Sequence, residues 1–152
     1  MTETIDITQS EARRIAQFMK LPRWEKYDDL ALVKSVNKGF PPKTVEVVAR
    51  RIDPDGTFLK ATDLVAKSTL SRKIRANQLL SKDDSEALLA LSRVFAELMH
   101  IYRDDPEKVS RYLLAPLPRL EGRTPLDVAK ESTAGADLIL KLLAQADAGV
   151  AN

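Results

Sequence analysis

The sequence contains no cysteine and a single histidine, His100. The first absence excludes disulfide frameworks, cysteine zinc sites and thiol catalysis, and it fits a reducing compartment. The second excludes multi-histidine metal sites and any mechanism that needs two imidazoles. No apolar run approaches the length of a membrane span, and Met1-Thr2-Glu3-Thr4 lacks the basic-then-apolar pattern of a signal segment. A Gly-rich phosphate loop is missing, and no serine–histidine–aspartate set can be placed. The expectation is a cytoplasmic, membrane-independent protein that is not an enzyme, with no catalytic residue, no metal and no cofactor.

What is present suffices for one to two small domains. The chain has 152 residues, of which 44 % are hydrophobic and 30 % charged. A formal net charge of +2 does not by itself point to nucleic acid. Its distribution is more informative. Leu64 to Lys82 holds five cations (Lys67, Arg72, Lys73, Arg75 and Lys82) and no acid, leaving the remainder at net −3. Such a block can hold phosphate even on a nearly neutral protein; the alternative is a solvated helix face.

Periodicity and punctuation read as all-α. Thr8-Gln9-Ser10-Glu11 has capping-box spacing and precedes Ala12, Ile15, Ala16 and Met19 at helical intervals. Asp28 or Asp29 caps a second helix, which Gly39 stops. A third carries Val45, Val48, Ala49 and Ile52, followed by the turn Asp53-Pro54-Asp55-Gly56. Two short helices are expected at about 57–62 and 66–76. Ser81 then caps a long helix with an apolar stripe from Ala87 to Tyr102. Asp105-Pro106 and Thr124-Pro125-Leu126-Asp127 each start a further helix. The last, about 134–146, is expected to bury Leu138, Ile139, Leu142 and Leu143, with Gly135 tolerated if another backbone packs close.

Two short helices of which the second is basic have helix–turn–helix shape. Leu70 and Ile74 are four apart and are expected to anchor the second helix to the core. Arg72 then points outward, flanked by Ser68, Ser71 and Arg75, with Thr69 and Lys73 nearer the edges. Arginine reads guanine edges, hydroxyls hold phosphates or bases, and Lys67 suits a backbone contact. The candidate DNA-binding residues are therefore Lys67, Ser68, Thr69, Ser71, Arg72, Lys73 and Arg75.

The run Thr69-Leu70-Ser71-Arg72-Lys73, continued by Leu80-Ser81-Lys82-Asp83-Asp84-Ser85-Glu86-Ala87-Leu88-Leu89, resembles the Xre-like helix–turn–helix of antitoxins paired with RES-domain toxins. Asp105-Pro106-Glu107, Arg111-Tyr112-Leu113, Gly122-Arg123-Thr124-Pro125-Leu126-Asp127, Gly135, Leu142-Leu143 and Gly149-Val150 resemble the toxin-binding domain of the Xre/MbcA/ParS antitoxins. The likeness runs roughly from Gly39 to Val150. Tyr112 stands where Trp is usual, Glu121 where a first Gly is common, and Val128-Ala129 replaces a bulkier pair.

The resemblance implies an Xre-like helix–turn–helix region over 39–103 and a small α-helical toxin-binding domain over 104–152, preceded by a helical extension over 1–38. It implies an antitoxin of a type II toxin–antitoxin system. Such a protein neutralises a RES-domain toxin, which consumes NAD⁺ or ADP-ribosylates a target, by occluding the toxin's active site. It also implies a homodimer that represses its own operon by binding operator DNA. The toxin-facing residues it implies are Gly122, Arg123, Thr124, Pro125, Asp127, Gly149, Val150, Ala151 and Asn152. Asp127 to Asn152 is net −2, which suits a toxin pocket that holds NAD⁺ phosphates. The competing reading is a stand-alone helix–turn–helix transcriptional regulator whose C-terminal domain dimerises or senses. Trp24 and Tyr27, outside the matched run, either staple the N-terminal segment to the core or form a dimer contact.

Overall fold

The computed structural model describes residues 10–147. Among these the chain is all-α, with nine α-helices and no strand. They are α1 (Glu11–Phe18), α2 (Asp29–Lys38), α3 (Lys43–Ile52), α4 (Ala61–Leu64), α5 (Lys67–Ala76), α6 (Lys82–Ile101), α7 (Pro106–Leu114), α8 (Pro125–Glu131) and α9 (Thr133–Asp147).

Short polar side chains start the helices where the residue chemistry places them. Asp28 accepts the Ala31 N–H at 2.8 Å, Ser81 the Asp84 N–H at 3.1 Å, and Thr124 the Asp127 N–H at 3.1 Å. Asp105 accepts from Glu107 and Lys108 while Pro106 occupies the first helical position. The start of α1 differs from the expected capping box. Its cap is Ser10, which accepts the Arg13 N–H at 3.3 Å, and Thr8 lies outside the described residues. Glu11 is thereby the first helical residue and points to Arg93 of α6, 3.9 Å away.

Helix α6 is the axis of the fold. Its buried residues include Leu88, Leu91, Val94, Phe95 and Leu98, and α1, α2, α3, α7, α8 and α9 all pack on it. Phe18 of α1 meets Phe95 with ring centroids 5.1 Å apart, and the Arg51 guanidinium of α3 lies 6.0 Å from the Phe18 centroid. Each fully buried side chain of this size contributes roughly 1.5–3 kcal/mol, and the buried residues form one continuous cluster from Ala12 to Leu143. Trp24 and Tyr27 pack against that cluster, and the Tyr27 hydroxyl lies 2.6 Å from Ser35 Oγ. The two aromatics therefore staple the α1–α2 connection.

Two glycines mark close backbone approaches. Gly39 stops α2 at φ +100°, and a Cβ there would lie 2.2 Å from the Leu80 carbonyl oxygen. The adjoining hydrogen bonds, Leu80 N–H to Phe40 O (2.9 Å) and Phe40 N–H to Ser85 Oγ (3.0 Å), sew the α2–α3 connection to the start of α6. At Gly135, in the first turn of α9, a Cβ would lie 2.0 Å from the Val128 carbonyl oxygen of α8. This is the backbone approach expected from a glycine in a helix start.

Leu138 corrects the sequence reading. It is 42 % exposed, whereas Ile139 is fully buried and Leu142 half-buried. α9 rests one face on α6 and α8, and Leu138 lies opposite the Ala136–Ile139–Leu143 stripe that makes the contact.

Candidate functional site: a basic helix face and a tyrosine-lined groove

The first short helix of the central region begins at Ala61, later than the expected 57. The cause is Asp53. Its buried carboxylate accepts the Phe58 N–H at 2.5 Å and the Leu59 N–H at 2.9 Å, which holds 53–60 as a closed loop. Asp63 accepts the Lys60 N–H at 2.9 Å and fixes the start of α4. Val65 and Ala66 then turn the chain into α5.

On α5 the expected outward residues are outward. Lys67, Ser68, Ser71, Arg72 and Arg75 are exposed, and Thr69 and Lys73 are half-buried at the flanks. Lys73 Nζ donates to the Leu79 carbonyl at 2.9 Å, which ties the helix to the strap that follows it. Asn77, left-handed at φ 54°, ends the helix, with the Gln78 N–H on the Lys73 carbonyl at 2.9 Å. Leu70 is buried as expected. Ile74 is not: it is 53 % exposed, so α5 has one core anchor rather than two. Ile74 instead borders an open groove of about 880 Å³ between α3 and α5, whose other walls carry Lys20, Lys43, Arg51 and the ion pair Arg50–Glu46, a net positive lining. The basic surface is thus wider than the segment Leu64 to Lys82. Sequence proximity could not have revealed this, because the extra cations come from α3 and from the residues after α1.

The second region is the C-terminal loop and its surroundings. The chain from Leu117 to Arg123 closes on itself: the Gly122 N–H donates to the Leu117 carbonyl at 3.0 Å and the Leu117 N–H to the Arg123 carbonyl at 3.1 Å. Closure requires two successive left-handed residues, Glu121 at φ 57° and Gly122 at φ +83°. Gly122 and Arg123 are exposed, and Arg123 pairs with Glu131 at 2.5 Å, bracing the two ends of α8. Thr124 is half-buried as the cap, Pro125 is buried, and Asp127 is exposed with Lys130 3.7 Å away. Of the implied toxin-facing set, then, Gly122, Arg123 and Asp127 are presented to solvent together, and Pro125 serves the core. Gly149, Val150, Ala151 and Asn152 lie outside the described residues.

Beside this loop runs a largely apolar groove of about 770 Å³, lined by Ile101, Tyr102, Tyr112, Leu117 and Leu142 among others. It lies between the ends of α6 and α9, with α7 along one side. Burial pushes the Tyr112 hydroxyl above its ordinary value of 10.0, and the neighbouring Tyr102 adds to the shift. Helical periodicity missed the groove because its lining comes from four separate segments. The signal available was Tyr112 itself, the aromatic residue at the matched position on α7.

Residues 97–149 match the family model of the antitoxin Xre/MbcA/ParS C-terminal toxin-binding domain. That span takes in the last turns of α6, the groove and the closed loop. Over this span the chain is similar to the toxin-binding domain of the Xre/MbcA/ParS antitoxins. A curated relative in Sphingobium sp. (strain YBL2), the Prs ADP-ribosylating antitoxin, is 32 % identical over 90 residues, covering 54 % of this chain and 56 % of the relative. The chain therefore spans about half the length of that relative. Among its described residues no helix is long and apolar enough to cross a membrane.

Proposed function

We propose that this protein is an antitoxin that neutralises a cognate RES-domain toxin by occluding the toxin's active site with its C-terminal domain. It acts as a binding protein without catalysis of its own, in the cytoplasm. The observation that carries this reading is the coincidence of the toxin-binding family match, 97–149, with an open apolar groove rimmed by Tyr102 and Tyr112. A largely apolar, concave surface with two tyrosine hydroxyls is the kind of patch that anchors a protein partner. The words "Prs ADP-ribosylating" in the relative's name support a toxin that uses NAD⁺ to modify a target.

In the same reading the homodimer binds operator DNA through Lys67, Ser68, Thr69, Ser71, Arg72, Lys73 and Arg75. The boundaries 1–38, 39–103 and 104–152 then divide functions rather than cores, since α6 supports helices on both sides of the last boundary. The exposure of Ser68, Ser71, Arg72 and Arg75 on one face of α5 supports this half of the proposal.

Co-expression with a RES-domain toxin tests the first part. Growth is restored and the toxin co-purifies with the antitoxin; failure of both removes the assignment. For the second part, Arg72→Ala with Arg75→Ala weakens operator binding and lowers the slope of log K against log salt by about two. An unchanged slope removes α5 from the DNA contact.

A further inference from the structure

Helix α2 carries two large apolar side chains in solvent. Leu30 is 60 % exposed and Val33 53 % exposed, while Leu32 and Val36 on the inner face are buried. Single exposed apolar residues are ordinary, but these two are three apart and lie on one ridge. Lys34 and Lys38 stand along the far side of that ridge, both exposed. On the near side the surface falls into a groove of about 440 Å³ between α2 and α9, floored by Leu89 and Ala90 of α6. The groove is rimmed by the carboxylates Asp29, Glu86 and Asp137, and the one cation in its lining, Arg93, faces Glu11 at 3.9 Å, which leaves the rim net acidic.

We infer that this face is where two copies of the chain meet, the α2 ridge of each lying in the α2–α9 groove of the other. The inference rests on the homodimer reading above and assigns its contact surface. A ridge directly beside a groove is self-complementary about a two-fold axis running between them. The charges agree with that operator. The axis brings the Lys34 and Lys38 side of one ridge over the Glu86 and Asp137 rim of its partner, and the reciprocal contact follows by symmetry. Within the chain, Lys34, Lys38 and Asp137 have no ion-pair partner among the described residues. A partner that was itself basic on its apolar ridge fits this acid-rimmed groove, and α2 is such a ridge.

Sedimentation of the full chain across the micromolar range tests it. The wild type is expected to dimerise. Lys34→Glu places a carboxylate against Glu86 and Asp137 of the other copy, and Asp137→Lys sets a lysine against Lys34. Each alone raises the dimer dissociation constant about tenfold or more, and the double variant recovers most of the loss. Val33→Glu gives the same weakening through the apolar part of the contact. All three positions are exposed, and circular dichroism confirms that the variants stay folded. A wild type that is monomeric throughout overturns both this inference and the homodimer reading. A dimer indifferent to these substitutions overturns the assigned face and leaves the homodimer reading standing.

Discussion

Replacing Gly135 by Ala should destabilise the protein, although the same change in a free helix stabilises it. In a helix interior Ala is favoured over Gly by about 1 kcal/mol, and less in a first turn. Here the added methyl carbon would lie 2.0 Å from the Val128 carbonyl oxygen and 3.0 Å from the Val128 carbonyl carbon. Both obstacles are backbone, so no side chain can swing away. Restoring a tolerable separation requires α8 and α9 to part by about 1 Å, and overpacking of this kind costs about 1–3 kcal/mol. Parting them also loosens Leu126, Ala129, Ala136 and Ile139, which are buried where the two helices meet. The steric cost exceeds the gain in propensity, leaving a net loss of about 1–2 kcal/mol. For a chain of this size that lowers Tm by roughly 2–8 °C. Urea denaturation of wild type and variant measures it directly. The exposed neighbour serves as the control: Ala134→Gly loses propensity alone, less than about 1 kcal/mol. If propensity governed both sites, the two substitutions would have opposite signs. A Gly135→Ala variant as stable as wild type, or more so, would refute the close approach of α8 and α9.

Other perturbations probe the remaining anchors. Glu121→Gly relieves a left-handed residue, which costs about 1–2 kcal/mol for a side chain with a Cβ, against about 0.5–1 kcal/mol of added unfolded-state entropy; the expected outcome is a small gain in stability by urea denaturation. Asp53→Ala strips the acceptor from the Phe58 and Leu59 N–H groups and is expected to cost about 2–4 kcal/mol, with early loss of hydrogen-exchange protection at those two amides. Leu70→Ala removes the core anchor of α5 and should cost about 2–4 kcal/mol, whereas Ile74→Ala should cost less than about 1 kcal/mol. Equal losses at both positions would restore the two-anchor arrangement.

Much of the architecture was legible because it is written in local chemistry. Ser81, Asp105 and Thr124 announce helix starts, since a short polar side chain satisfies N–H groups that the helix leaves open. The glycine at position 135 announced a close neighbour for a similar reason. The outward face of α5 followed from 3.6-residue spacing alone. What failed, failed where distant residues decide. Asp53 delays α4 by capturing amides five and six residues on, a use of a buried carboxylate that a turn motif does not disclose. Ile74 has helical spacing from Leu70, yet α3 leaves a groove where a core partner was required. The tyrosine-lined groove is assembled from the ends of several helices, and no single stretch of sequence contains it. Glu121 illustrates a third case: the closed loop imposes φ 57° on a residue that does not prefer it, and the loop's hydrogen bonds hold it there.

The 20-residue α6 has an energetic consequence that its role as a packing axis does not express. It is about 30 Å long and serves as wall for α1, α2 and α3 at the same time as for α7, α8 and α9. Neither group can open without stripping apolar cover from the other. A ligand that binds only the folded form of one group therefore stabilises the other by mass action, by about 2.7 kcal/mol at a hundred times its dissociation constant. Protease resistance measured at α1 would then report occupancy of the tyrosine-lined groove, without any change of shape between them.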